Sequence, residues 1–355
     1  MIRIARYPVG VSLALAALWC VTGLGIGPAG LSPDPGREEK SPELTARSGL
    51  RLMWYNTENL FYPADDTLEA DDGFTPGGIY HWSWERYREK LTRVARVIVA
   101  AGQWEPPDLV GLAEVENGMV LEDLVSHPIL APYHYSYLHR DSPDHRGMDV
   151  ACLVRDGRFR ITGWRVIPPV GSGDLARTRE FLHVTGTWGR RDTLDLLLAH
   201  LISRYRGTGA TAGYRREQAT RLAALADSIC RIRRGGLLVM AGDFNEPWGG
   251  YGLEPLSIPG PAGDSITCFP RGDQEPSYKF RGRWSGIDLF LVPGLAGRYR
   301  VEGSVIRHPA MLADDTRYGG SMPFRTYEGF RYTGGFSDHL PIILDISRPI
   351  FPNAP

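Results

Sequence analysis

Short runs of apolar residues recur along the chain and predict buried strands. The runs are LRLMWY (50–55), DLVGLAE (108–114), DVACLVR (149–155), LDLLLAHL (194–201), LLVMAG (237–242), IDLFLV (287–292) and LPIILDI (340–346). Short, nearly continuous apolar runs bounded by turn residues are typical of strands that are covered on both faces. The pattern therefore predicts a sheet-based fold with a large core.

Two longer segments repeat apolar residues at helical spacing. The first runs from Ser83 to Ala101, and Ser83 is a residue type that caps helix amino termini. The second runs from Tyr214 to about Arg234, where Gly235 supplies a stop. Strands mixed with helices predict an α/β or α+β layered fold.

The amino-terminal segment has a different pattern from the rest of the chain. Arg3 and Arg6 precede an apolar run, so residues 1–27 are predicted to be a signal peptide. A membrane anchor is the alternative, because the run approaches spanning length. Residues 28–48 are rich in proline and charge and predict a flexible linker, followed by one folded domain over 49–350. The segment predicts export to the periplasm or the medium, with membrane anchoring as the alternative.

Composition narrows the class of protein only slightly. The chain has 355 residues, 43% of them hydrophobic, and its 40 basic and 41 acidic residues nearly cancel. The hydrophobic content is typical of a folded chain and not of a disordered one. The balanced charge gives no overall positive field that would indicate binding to nucleic acid. After the leader only Cys152, Cys230 and Cys268 remain, without a CxxC, so neither a zinc cluster nor a rich disulfide framework is indicated.

Polar residues gather where several of the predicted strands end. They are Asn56, Glu114, Glu116, His200, Asp243 and Asn245, with Ser337, Asp338 and His339 just before the last strand. In layered α/β folds, sites collect on loops at one end of the strands. Taken singly, each residue also has an ordinary structural interpretation, such as a turn former, a surface acid or a core histidine.

The stretch GDFN (242–245) is the most specific of these groups. Asp243 and Asn245 lie at i and i+2 of an extended segment and would point the same way, while Phe244 returns to the core. The whole set offers carboxylate, amide and imidazole groups without zinc-ligand spacing. Oxygen ligands favour a hard cation such as magnesium, manganese or calcium, whose natural partner is phosphate.

The motifs WYNTENLF, GLAEVEN, LAHL, AGDFN, SGIDLF and FSDHLP, in this order over residues 50–347, resemble the DNase I-like endonuclease/exonuclease/phosphatase superfamily. FTPGG, HWSWERYREKL, RGMDVA and RTRE are similar to exported bacterial members regarded as nucleases. The resemblance implies an α/β fold, a four-layer α/β sandwich. In that fold two mixed β-sheets pack face to face with helices on the outside.

Carried over by position, the resemblance implies catalytic roles for five residues. Asp243 would orient or deprotonate the attacking water, and Asn245 would hold the phosphate or that aspartate. His200 and His339 would donate hydrogen bonds to the developing negative charge, with Asp288 pairing with His339.

The resemblance also implies a cation site and its ligands. Glu114 corresponds to the principal metal-binding glutamate, Asn56 to an asparagine that helps to place metal and phosphate, and Asp338 to a second carboxylate near the metal. The expected cofactor is Mg²⁺ or Mn²⁺, with Ca²⁺ as a further alternative.

Three arginines near predicted strand boundaries are candidates for binding substrate phosphate. Arg146 lies in DHRGMDV, and Arg177 and Arg179 lie in ARTRE, where guanidinium groups could contact phosphates beside the scissile one. Solvated surface charge is the alternative interpretation for Arg146 and Arg177.

The sequence therefore predicts a metal-dependent phosphodiester hydrolase, a nuclease acting on DNA or RNA. The alternative within the same fold is a phosphatase or phospholipase C-type enzyme acting on inositol phosphates or sphingomyelin. Ser337, Asp338 and His339 also suggest a serine hydrolase, but adjacent residues cannot face one another as a triad. A noncatalytic envelope binding protein is the last alternative. A monomer is expected, and no protein partner is predicted.

Overall fold

The computed structural model describes residues 49–65, 70–103, 105–169, 178–189, 192–204, 208–233, 235–258, 265–270, 275–295 and 298–349. The predicted leader and linker (1–48) and Arg177 lie outside these residues, so those predictions stay open. Within the described residues, no helix is both long and apolar enough to cross a membrane.

The helices are α1 (Trp84–Ala101), α2 (Gly118–Ser126), α3 (Thr208–Ile232) and α4 (Glu254–Ser257). The strands are β1 (Leu50–Leu60), β2 (Leu109–Val115), β3 (Tyr135–Leu138), β4 (Asp149–Arg155), β5 (Arg160–Ile167), β6 (Phe181–Trp188), β7 (Asp192–His200), β8 (Leu237–Asp243), β9 (Ile266–Phe269), β10 (Tyr278–Phe280), β11 (Arg283–Ser285), β12 (Asp288–Pro293), β13 (Arg300–Val305), β14 (Leu312–Asp314), β15 (Ser321–Pro323), β16 (Tyr327–Glu328), β17 (Arg331–Tyr332) and β18 (Ile342–Ser347).

Two six-stranded sheets form the framework. Their strand orders are β13-β18-β1-β2-β4-β3 and β5-β6-β7-β8-β12-β9. Each sheet is mixed, because β1 pairs parallel with β2 and β7 parallel with β8, while the other pairs are antiparallel. The central strands carry apolar residues on both faces, as strands covered on both sides require.

The alternation of side chains along β1 and β7 separates the core into three parts. Leu52 and Trp54 belong to the cluster between the sheets, while Met53 and Tyr55 pack on the outer side with residues of α1 and α2. On the second sheet, Leu197 packs outward with residues of α3. The order helix, sheet, sheet, helix confirms the predicted four-layer α/β sandwich.

Each predicted apolar run overlaps a strand, and both predicted helices are present. Helix α1 begins as predicted, because the Ser83 hydroxyl accepts a hydrogen bond of 3.3 Å from the Arg86 amide. Helix α3 begins at Thr208, earlier than the predicted Tyr214, and β1 continues to Leu60, past the predicted end at residue 55.

Candidate active site

The polar ends of the central strands meet at one edge of the two packed sheets. Asn56 lies near the end of β1, Glu114 near the end of β2, and His200 and Asp243 end the parallel pair β7 and β8. Strand β12 runs antiparallel to β8 and pairs Asp288 with Asp243. His339 precedes β18, which is antiparallel to β1, so it arrives at the same edge.

Irregular backbone in β1 and β2 shapes this edge. The register of β1 against β2 shifts between Asn56 and Leu60, and Glu58 and Asn59 both have φ of 55°. Glu114 has φ of 61° at a second register shift, in β2. Left-handed conformations at non-glycine residues cost free energy and cluster at functional sites, as bulges do. The two bulges turn the Asn59 amide toward Glu114 Oε2, at 3.0 Å.

Asn56 connects the two carboxylates at the centre of the edge. Its Nδ2 donates to Glu114 Oε1 and to Asp243 Oδ2, at 3.2 Å each. Its Oδ1 accepts from the Glu58 amide at 3.0 Å, which fixes the orientation of the side-chain amide. In this geometry Asn56 orients Glu114 and Asp243 and has its oxygen engaged by the backbone.

Two histidines face the carboxylates at longer distances. His200 Nε2 lies 3.9 Å from Glu114 Oε1 and 3.5 Å from Asp243 Oδ2. His339 Nε2 lies 3.7 Å from Asp243 Oδ2 and 3.9 Å from Asp338 Oδ1. These separations exceed those of direct hydrogen bonds. They link the five side chains in succession, from Glu114 through His200, Asp243 and His339 to Asp338.

The two imidazoles have opposite protonation states. Burial lowers the pKa of His200 well below its ordinary value, and the charges of Arg179 and Arg146 lower it further. Burial also acts against protonation of His339, but the carboxylates of Asp288 and Asp243 outweigh it and raise the pKa of His339 well above its ordinary value. At neutral pH, His200 is therefore neutral and His339 is an imidazolium.

Asp243 is a buried carboxylate whose proton affinity is increased. Burial raises the pKa of Asp243 to about 7 against the opposing charge of His339, and the negative charge of Asp288 adds to the increase. The Asn245 amide donates to Asp243 Oδ1 at 2.8 Å, so only Oδ2 faces the histidines. A carboxylate with a pKa near neutrality is suited to accept a proton from water.

Asn245 is placed beside this carboxylate by its own backbone. Its φ is 51°, and its Nδ2 donates to the Leu201 carbonyl at 3.1 Å. That bond joins the loop after β8 to the chain leaving β7. The side-chain amide thus holds the two strand ends together, and its predicted contact with phosphate stays a prediction.

Arg179 is buried in this structure, and its predicted contact with substrate phosphate stays a prediction. Its side chain is only 2% exposed, and its guanidinium donates to the carbonyls of His200 and Leu201 at 3.1 and 2.8 Å. It also contacts Asp144 Oδ2 at 3.3 Å. A buried guanidinium with these partners positions the backbone beside His200 and does not reach into solvent.

The predicted contact of Arg146 with substrate phosphate stays a prediction. Its side chain is 39% exposed, and its Nε and Nη2 bind the two oxygens of Asp144 at 3.0 and 2.8 Å. Its positive charge acts on Glu114, so it lies on the acidic side of the site. Asp144, which sequence reasoning missed, therefore joins the exposed Arg146 to the buried Arg179.

Ser337 has a structural function, which removes the serine-hydrolase alternative. Its Oγ donates to the Asn56 carbonyl at 2.7 Å and accepts from the His339 amide at 3.1 Å. It is 1% exposed, and the His339 imidazole bonds instead to Asp288. The motif SDH is thus a turn that delivers Asp338 and His339 to the site.

The donor set fits a hard divalent cation. Glu114 and Asp338 keep partly exposed side chains, at 18% and 24%, and both offer carboxylate oxygens, the ligands that hard cations prefer. Asp243, Asp288 and His339 also bring ligand atoms within 4.8 Å of one another. However, both oxygens of Asp288 accept hydrogen bonds, from Trp54, Ser277 and His339, which favours a cation at Glu114.

Tyr278 is a site residue that sequence reasoning missed. Its ring lies 4.7 Å from the ring of His339, at an interplanar angle of 34°. No local signal marks it, because it lies in the three-residue strand β10, whose position depends on the tertiary fold.

A four-layer sandwich with acids and imidazoles collected at one sheet edge defines the DNase I-like class of α/β proteins. The chain belongs to the endonuclease/exonuclease/phosphatase family, whose sequence model matches residues 51–348. Members of this family are phosphoester hydrolases that depend on divalent metals. A search of curated proteins found no match.

Solved structures support the same fold. An endonuclease/exonuclease/phosphatase from Bacteroides vulgatus has a TM-score of 0.54 and 14% identity, over 85% of this chain and 100% of that chain. The human Nocturnin catalytic domain with bound sulfate has a TM-score of 0.53 and 17% identity, over 85% and 96%. D. rerio TDP2 complexed with single-strand DNA product has a TM-score of 0.52 and 14% identity, over 84% and 99%.

Proposed function

We propose that this protein is a divalent-cation-dependent phosphodiesterase that hydrolyses nucleic acid. The observation that carries the proposal is a succession of five acidic and imidazole side chains at the sheet edge. They are the side chains of Glu114, His200, Asp243, Asp338 and His339, at successive separations of 3.5 to 3.9 Å. Carboxylates for a cation and a general base, facing imidazole donors, are the groups that in-line attack on a phosphodiester requires.

Glu114 and Asp338 hold the cation in this proposal. When bound, a divalent cation neutralises charge on the nonbridging oxygens and makes water a better nucleophile. Asn56 and the Asn59 amide orient the Glu114 carboxylate from behind, at 3.2 and 3.0 Å. The Glu114 side chain remains 18% exposed, so its carboxylate keeps access to solvent.

Asp243 orients the attacking water and accepts its proton at Oδ2. His339 donates from Nε2 as an imidazolium, and neutral His200 donates from Nε2, the nitrogen that faces two carboxylates. Charge that grows on the phosphoryl oxygens strengthens both hydrogen bonds in the transition state. The proton on each Nε2 is therefore the part of the imidazole that lowers the barrier.

A surface beside the site favours nucleic acid as the substrate. Tyr278 and Phe280 lie on the same face of β10, about 7 Å apart, because side chains alternate along a strand. Phe280 is 57% exposed, with the Arg281 guanidinium 5.2 Å from its ring, and Tyr318 is 47% exposed, with Arg317 at the same distance. Aromatic rings alternating with arginines are suited to stack bases and bind backbone phosphates.

The comparisons are compatible with this substrate class. One structural neighbour, D. rerio TDP2, is described in complex with a single-strand DNA product. For our chain, that similarity supports the proposal only together with the aromatic and basic surface. We extend the proposal to an exported enzyme on the basis of the amino-terminal sequence.

Hydrolysis assays with the purified protein test the proposal. The protein is incubated with plasmid DNA, RNA or bis-p-nitrophenyl phosphate in the presence of Mg²⁺ or Mn²⁺, and each reaction is repeated with EDTA. Inositol polyphosphate and sphingomyelin are assayed in the same way as the alternative substrates. We expect cleavage of nucleic acid that EDTA abolishes, and a loss of about 10²-fold or more in Glu114→Gln and in Asp243→Asn. Glu302→Gln, an exposed residue on β13, is the control. Activity indifferent to EDTA, or near-normal rates in Asp243→Asn, would contradict the proposal.

A further inference from the structure

Two buried charges next to the site have no part in the proposed chemistry. Glu58 lies in the bulge of β1 and is 7% exposed, and Lys90 lies on α1 and is 1% exposed. Burying a carboxylate and an ammonium is costly unless both are paired and hydrogen-bonded. Their contacts therefore indicate what this buried pair stabilises.

Both charges contact the same residue, Thr326. Lys90 Nζ donates to Thr326 Oγ1 at 2.5 Å, and the Glu58 carboxylate accepts from the Thr326 amide at 2.5 Å and from the Tyr327 amide at 3.3 Å. Lys90 Nζ also donates to the Phe336 carbonyl at 2.6 Å. The pair thus holds the start and the end of segment 326–336.

The end of this segment leads directly into the site. Phe336 is followed by Ser337, Asp338 and His339, so Lys90 is bonded three residues before the imidazolium. At the other end, Glu58 is two residues after Asn56, and its amide donates to Asn56 Oδ1. The buried pair therefore connects the two chain segments that carry opposite sides of the site.

The charges around the pair are consistent with this connection. The negative charge of Asp338 acts on both Glu58 and Lys90, and Glu114 also acts on Lys90. Lys90 is a buried cation beside this acidic cluster, and Arg325 also acts on Glu58. Removing it would leave these carboxylates to repel one another.

We propose that Glu58 and Lys90 are positioning residues that set the place of Asp338 and His339 relative to Asn56 and Glu114. The inference rests on the proposed function, since it concerns the same site. Neither residue touches the reacting atoms in this scheme. Their effect passes through Thr326 and Phe336 to the turn at Ser337.

The test compares Lys90→Met, Glu58→Gln, Glu58→Ala and Thr326→Val in the full chain, under conditions where each variant is folded by circular dichroism. With bis-p-nitrophenyl phosphate and Mn²⁺, we expect Lys90→Met and Glu58→Ala to lower kcat about 10- to 100-fold, with a much smaller change in KM. Glu58→Gln keeps an oxygen acceptor for the Thr326 amide and should recover part of the loss. Thr326→Val removes only the hydroxyl acceptor of Lys90. If Lys90→Met does not fold, this variant tests the positioning role in its place.

Arg51→Met is the matched control. Arg51 lies at the opposite end of β1 and pairs with Asp345 at 2.6 Å, with a side chain only 10% exposed. This variant removes a buried cation and breaks its ion pair with the partly exposed Asp345, and we expect it to reduce stability and leave kcat unchanged. Unchanged kcat in the Glu58→Ala and Thr326→Val variants, with stability losses like that of Arg51→Met, would overturn the inference.

Binding of Mn²⁺, measured by calorimetry, separates the two proposals. If the wild type hydrolyses none of the substrates, the proposed function fails. Weaker Mn²⁺ binding by Lys90→Met and Glu58→Ala, about 10-fold, would then still support positioning of Asp338. Unchanged Mn²⁺ affinity together with unchanged kcat in an active enzyme would refute the positioning role alone.

Discussion

His339 Nδ1 lies 2.7 Å from Asp288 Oδ2, and both side chains are buried. Asp288 is itself fixed by Ser277 Oγ at 2.5 Å and by Trp54 Nε1 at 3.1 Å. The carboxylate therefore holds the imidazole in one orientation, with Nε2 toward Asp243. The sequence resemblance implied this pairing, and the structure adds the two donors that hold Asp288 in place.

Replacing Asp288 with asparagine should change both the rate and its pH dependence. The carboxylate raises the pKa of His339 against the effect of burial, so its removal lets the imidazolium lose its proton at a lower pH. We expect kcat/KM to fall about 10²- to 10⁴-fold, with the alkaline limb of the pH-rate profile shifted to lower pH.

Trp54→Phe is the control for that experiment, because it removes one donor to Asp288 Oδ1 and leaves the Oδ2 contact with His339. The alkaline limb should stay near its wild-type position. An unshifted limb in Asp288→Asn would contradict the role given to the pair.

The aromatic and basic surface beside the site should contribute to nucleic-acid affinity. We expect Phe280→Ala to weaken binding of a single-stranded oligonucleotide by about 1–3 kcal/mol through lost stacking. Arg281→Ala should lower the slope of log K against log salt by about 1. Fluorescence anisotropy without divalent cation measures both effects.

Arg300→Ala, which changes an exposed arginine on β13, is the matched control for Arg281→Ala. It should leave the salt slope unchanged. Equal effects of the Arg281 and Arg300 variants would mean that binding is nonspecific attraction to positive charge.

His200 should make the folded state sensitive to acid. Because burial holds its folded-state pKa well below the unfolded value, the unfolded chain binds the extra proton, and stability falls as the pH drops below about 6.5. The raised pKa of His339 has the opposite sign, and its contribution is complete below that pH. We expect His200→Gln to lose less stability than the wild type between pH 6.5 and 5, by at most about 1.4 kcal/mol per pH unit. The free energy of unfolding is measured with urea at each pH. An equal fall in this free energy between pH 6.5 and 5 in the two proteins would rule the prediction out.

The layered fold and the end of the sheet that carries the site could be predicted because they depend on local pattern. The apolar runs mark strands covered on both faces, and Asn56, Glu114, His200 and Asp243 lie at the ends of these runs or directly after them. Strand β5 was missed because most of its side chains are at least partly exposed, so its sequence lacks a continuous apolar run.

The details of the site could not be predicted because they arise from tertiary contacts. Arg179 was expected to bind phosphate, but nothing in RTRE indicates that its guanidinium turns inward to the carbonyls of His200 and Leu201. Likewise, the left-handed conformations of Glu58 and Glu114 follow from register shifts between neighbouring strands. Such shifts leave no mark in a single sequence.

Gly111, in the centre of β2, determines how closely the two sheets approach. A Cβ at this position would lie 2.7 Å from Trp54 Cε3 and 2.9 Å from Leu198 Cδ2, so alanine would have to displace side chains from both sheets. We expect Gly111→Ala to lower the free energy of unfolding by about 1–3 kcal/mol, measured as a fall in the urea midpoint without a change in m. Gly163→Ala on β5, where a Cβ would meet nothing within 4 Å, should change it by less than about 0.5 kcal/mol. Because Trp54 also donates to Asp288, Gly111→Ala should in addition lower kcat. Equal stability of the Gly111→Ala and Gly163→Ala variants would contradict close packing at Gly111.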